Sequence, residues 1–139
     1  MPEIAGRYFA RIFIMQKNTV EYYQCILDNL TGGLISVDMS GTVVYVNPMA
    51  GKLLHWDEAY TSLKTNYITA FKNFPALTQV IKEALETGRT VRRTEISIMH
   101  ANVPLVIGYS TTHVKNHEGR DLGVTVIFQD ISSADGGKK

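Results

Sequence analysis

The chain reads as an α+β domain: an antiparallel sheet with helices packed against it. Three observations predict this. Strand-like segments come in two groups, 33–46 and 91–129, and do not alternate singly with helices. Helical spacing fills much of the stretch between the groups. Short turn-forming runs, Ser40-Gly41 in the first group and Asn116 to Asp121 in the last, connect neighbouring strands as antiparallel pairs require.

The N-terminal stretch, 3–30, carries helical spacing. Ile4, Tyr8, Ile12 and Met15 mark a first stripe; Tyr22 or Tyr23, Ile26 and Leu30 continue it. The polar patch Gln16-Lys17-Asn18-Thr19 divides the two, and Asn18 with Glu21 resembles a capping box. The spacing fits two helices joined near Lys17-Asn18, or one long helix with a weak point. Phe9, Phe13 and Ile14 put apolar groups on further sides of the first stretch, so it needs the sheet or a second copy of itself as cover.

Thr31-Gly32-Gly33 ends the helical spacing. Gly33 to Asp38 then alternates as a strand with two unlike faces, and Val43 to Val46 forms its β-branched and aromatic partner. Asn47-Pro48 follows, a favoured cap and a favoured first helical residue, so a short helix opens there and runs to Leu54. Residues 55–74 are mixed in pattern and suit one or two helical turns with loops. Pro75 to Thr87 is a clear helix: Leu77, Val80, Ile81, Ala84 and Leu85 share one stripe, and Gly88 closes it. Val91 to Met99, Val103 to Lys115 and Gly123 to Gln129 are three strands, with Gly108 marking a bulge or a close approach. Helices of 48–87 are expected on one face of the sheet. Leu34, Tyr109 and Ile127 suggest an apolar component on the other face, with the N-terminal helix as its cover.

Composition narrows the function classes. The chain has 139 residues with 45% apolar, enough for one core. Its net charge of +1 argues against nucleic acid or an anionic membrane surface as partner. A single cysteine, Cys25, makes no internal disulfide and no cysteine metal site, and fits a cytoplasmic setting. No apolar run reaches the roughly 18 residues of a membrane-spanning helix. Phosphate-binding glycine loops, Gly-x-Ser-x-Gly and His-Glu-x-x-His are all missing from the sequence, so no catalytic residue is assigned.

The order of these segments resembles a PAS domain, the sensory module of bacterial histidine kinases and related regulators. The resemblance lies in Ile26-Leu27-Asp28-Asn29-Leu30, Gly33 to Asp38, Gly41, Val46-Asn47 and Leu53-Leu54. It continues in Ala84 to Gly88, Glu118-Gly119 and the closing Asp130-Ile131-Ser132. It implies a five-stranded antiparallel sheet with helices on one face, and an N-terminal helix on the other face or at a dimer interface. It divides the chain into a flanking helix (1–20), the PAS domain (21–132), and a disordered tail or shortened output linker (133–139). The chain is then either a fragment of a larger regulator or a module acting in trans.

The implied function is a non-catalytic sensor of a two-component system that dimerises and relays a signal to an effector or kinase domain, in cis or in trans. Tyr8, Ile12, Met15, Ile26 and Leu30 are the expected dimer seam, and Asp130, Ile131 and Ser132 the relay. A small cavity is also implied, with Tyr45, Tyr67, Phe71, Ile81, Ile96 and Ser110 as expected lining; by residue type alone such aromatics are plain core. The alternative role is a receptor for flavin, haem or a small metabolite. The residues themselves call for no cofactor and no metal. The family's flavin-adduct cysteine motif is missing, Cys25 reads as a half-buried helix residue, and only His55 or His113 could serve a haem. A small enzyme using Asp38 or a histidine is the third reading. Asn47 would contact a ligand or cap a helix, and Pro48 favours the cap. Asp38 is explained by an Asx-type turn.

Overall fold

The computed structural model describes residues 18–100 and 103–131. Residues 18–28 are helical (α1). Five strands follow: β1 (Gly33–Asp38), β2 (Val43–Val46), β3 (Thr94–His100), β4 (Val103–Lys115) and β5 (Asp121–Asp130). Between β2 and β3 lie α2 (Pro48–Leu53), a 3-10 turn (Ala59–Ser62), α3 (Tyr67–Ala70) and α4 (Pro75–Thr87).

The strands form one sheet in the order β2-β1-β5-β4-β3, with every neighbouring pair antiparallel. That order explains the layering. β2 and β3 sit at opposite edges, so the chain between them must cross the whole sheet. It crosses as α2, α3 and α4, which therefore cover one face. Ile35, Val37, Val126, Phe128, Ile107 and Leu105 project into that layer and are buried. Phe71, Phe74, Leu77 and Ile81 meet them from the helices. Burying each such side chain contributes about 1.5–3 kcal/mol.

Local chemistry sets the joints. In the β1–β2 turn, Asp38 Oδ1 accepts from the Ser40 amide (3.0 Å), the Ser40 hydroxyl (2.7 Å) and the Thr42 amide (2.9 Å). Gly41 completes the turn at φ 90°, open to glycine and costly for other residues. Asn66 caps α3 by accepting from the Ile68 amide at 2.9 Å. Gly88 ends α4 in the left-handed conformation, φ 68°.

The structure departs from the sequence reading at several points. β3 begins at Thr94, not Val91, because Arg93 takes φ 50° and breaks the extended path. Val91 still pairs with β4: its amide donates to Thr111 Oγ1 (2.9 Å) and its carbonyl accepts from the Thr111 amide (2.8 Å). β5 starts at Asp121, two residues earlier than expected. Tyr109 packs with the core on the helix-covered face, while Leu34 and Ile127 pair on the other. Cys25 is exposed, not half-buried, on a stretch of α1 that is exposed from residue 18 to Ile26. The joint near Lys17-Asn18 reaches beyond the described residues.

Candidate functional site

Two residues at the end of β2 tie three elements together. Asn47 is buried, and both atoms of its amide are fully used. Its Oδ1 accepts from the Ala50 amide (2.9 Å), which caps α2, and from the Leu34 amide (2.9 Å), which holds β1. Its Nδ2 donates to the carbonyls of Gly32 (3.0 Å) and Leu27 (3.1 Å). The cap expected at Asn47 is thus one of four bonds, and the last of them reaches α1. Two residues earlier, the Tyr45 hydroxyl donates to Asp28 Oδ1. Burial, reinforced by that carboxylate, pushes the Tyr45 phenol well above its usual value.

The expected pocket residues fall on two faces. Tyr67, Phe71 and Ile81 are buried between helices and sheet, and Ile96 packs against them. Tyr45 does not join them. A register shift between Ser36 and Val37 pairs Ile35 with Val46 and Val37 with Val43, so both valines face the core. Tyr45 pairs with Ser36 and faces the other way. Ser110 pairs with Ile127 on that same outer face, and its hydroxyl accepts from the Arg93 amide at 3.1 Å. The six residues therefore do not form one wall. Trp56 stands edge-on to Phe71 with centroids 5.7 Å apart, and lies 5.6 Å from Phe74, so the interior aromatics pack on one another. Among the described residues, no buried side-chain nitrogen or oxygen lacks a hydrogen-bond partner.

Two open grooves flank this core. One, of about 300 Å³, runs beside α2 between Val46, Lys52, Trp56, Asp57 and Tyr60. The other, of about 480 Å³, lies on the outer face between Arg93, Glu95, Ser110, Ile127, Gln129 and Ile131. Of the expected relay, Asp130 closes β5, and the Ile131 amide donates to the Val106 carbonyl at 2.9 Å. Ser132, Tyr8, Ile12 and Met15 lie outside the described residues. Ile26 is exposed on α1 and Leu30 is half-buried just after it.

His55 is exposed just after α2, and His113 Nε2 lies 3.2 Å from the Arg89 carbonyl. No group of three or more His, Cys, Asp or Glu among the described residues could hold a metal. No helix among them is long and apolar enough to cross a membrane.

Sequence reasoning found Asn47 and Asp38 but missed Asp28 as the partner of Tyr45. It also missed Thr111 and Thr125, buried polar residues that bond Val91 and Ser36 (Thr125 Oγ1 to Ser36 Oγ, 3.0 Å). Thr111 gave a signal, a polar residue in phase with Leu105, Ile107 and Tyr109, whereas Thr125 follows the polar phase of β5 and gave none.

A family model described as the PAS fold matches residues 21–131. The signal transduction histidine-protein kinase AtoS of Escherichia coli is 26% identical over 108 residues, covering 78% of this chain and 17% of that protein. The cyclic di-GMP phosphodiesterase PdeB of Shewanella oneidensis is 24% identical over 106 residues, covering 76% and 12%. The chain thus spans less than a fifth of the length of either relative. The PAS domain of Bordetella pertussis BvgS shares the fold, with a TM-score of 0.66, 16% identity, and coverage of 87% of this chain and 93% of that one.

Proposed function

The chain belongs to the PAS family over residues 21–131, and on that premise we propose that it is a cytoplasmic sensory module that pairs with a second copy and drives an effector. The observation that carries the reading is the face of α1. At about 100° per residue, Val20, Tyr22, Tyr23, Ile26 and Leu27 fall within an arc of about 160°. Four of the five are exposed, Tyr22 at 66%. Asp28, Gln24 and Glu21 occupy the opposite side, and Asp28 is the one held by the sheet. An apolar stripe turned away from its own domain suits pairing with another helix. Ile26 and Leu30 belong to the proposed seam, with Tyr8, Ile12 and Met15 extending it.

The effector reading rests on the relatives. One is a histidine kinase and the other a phosphodiesterase, and the matched stretch is a small part of each. What the two share with this chain is one stretch of 106 or 108 residues, which we read as a sensory part, so the output of this chain is proposed to lie elsewhere, reached through Asp130-Ile131-Ser132. Light scattering at high micromolar concentration tests the pairing. A dimer is expected; a particle of the 15.5 kDa chain mass overturns it.

A second reading, a small-molecule receptor, is favoured by the groove beside Trp56. Its volume of about 300 Å³ is at the small end of ligand sites. Absorbance of protein from its native host is expected to show no band beyond the aromatic one, and a visible band would point to a bound chromophore.

A further inference from the structure

The geometry points to a two-point latch, Tyr45 to Asp28 and Asn47 to Leu27, that gears the N-terminal helix to α2. The inference rests on the sensory reading and supplies its moving part. A helix held by one hydrogen bond can swing and rotate about it. Here consecutive residues of the last turn of α1 are gripped from two places on one strand end. The Tyr45 hydroxyl holds the Asp28 carboxylate, and the Asn47 amide holds the Leu27 carbonyl. The covalent path through Gly32 and Gly33 is held as well, by the Asn47 bond to the Gly32 carbonyl. Two bonds and a fixed chain exit set the rotation of α1 as well as its position. Rotation is what decides where Val20, Tyr22, Tyr23 and Ile26 face.

The other end of the gear is α2. The same Asn47 side chain caps that helix through the Ala50 amide, and Asn47 lines the groove beside Trp56. A shift at the start of α2 therefore moves the residue that holds Leu27. Tyr45 continues into the sheet, opposite Ser36, whose hydroxyl lies 3.0 Å from Thr125 Oγ1 on β5. The path from helical layer to α1 is a continuous set of hydrogen bonds and one strand end.

Hydrogen exchange on the full chain tests the latch separately from the dimer reading, when run at a concentration where light scattering finds one species. In Tyr45→Phe, which removes only the hydroxyl, amides of 22–28 are expected to exchange about tenfold faster. β4 and β5 amides are expected to keep their wild-type rates. Asp28→Ala should match it, the double variant should add nothing, and Asp28→Asn should retain protection because its amide oxygen still accepts. Unchanged exchange in 22–28 overturns the latch. So does equal acceleration of helix and sheet, which would make the pair a general stability contact.

Discussion

Asn47 forms four hydrogen bonds with one buried amide, so its loss removes more than a cap. Asn47→Ala leaves the Leu34 amide without its side-chain acceptor, takes a donor from the Gly32 and Leu27 carbonyls (the latter still accepting from the Leu30 amide at 3.4 Å), and uncaps α2. The expected cost is about 3 kcal/mol, combining a lost cap with unpaired buried groups; urea unfolding measures it. Asp38 predicts a pH effect. The Ser40 hydroxyl, then the Thr42 amide, hold its carboxyl below the usual range. A folded-state value below the unfolded one means the carboxylate contributes stability above about pH 4. That contribution is lost as pH falls through the lowered value. In melting curves, wild type should therefore exceed Asp38→Asn at pH 7, and the gap should close below about pH 4. A gap independent of pH would remove Asp38 from this role.

Elements whose ends are set by local chemistry were legible in the sequence. Ser40-Gly41, Asn47-Pro48 and Gly88 mark their joints because turns, caps and left-handed ends depend on one or two residues. Which face a residue takes depended on register. Strict alternation from Val43 places Tyr45 in the core; the shift between Ser36 and Val37 turns it outward, and no residue type announces that shift. Alternation with Leu105 and Ile107 already assigns Ser110 to the outer face, where it pairs with Ile127. The bond from Tyr45 to Asp28 joins residues from separate elements, so spacing could not reveal it. Strand packing supplies a prediction of its own. A Cβ on Gly123 would lie 2.2 Å from the Val37 carbonyl oxygen and 3.0 Å from the Asp38 Cα. Both are backbone, so β1 and β5 would have to part. Gly123→Ala is expected to cost about 2 kcal/mol or more by denaturant titration.

At the scale of the whole molecule, the sheet and its helical layer form a closed unit, and α1 leaves it as an amphipathic helix with its apolar side outward. The core accounts for the fold without a partner; the stripe on α1 is the part that calls for one. Sedimentation equilibrium of wild type and Ile26→Glu tests this most directly, since a charge in the proposed seam would cost pairing while leaving the domain intact. The account predicts a wild-type dimer whose dissociation constant rises at least about tenfold in the variant, with an unchanged circular dichroism spectrum. A monomeric wild type, or a dimer indifferent to a glutamate at position 26, would contradict it.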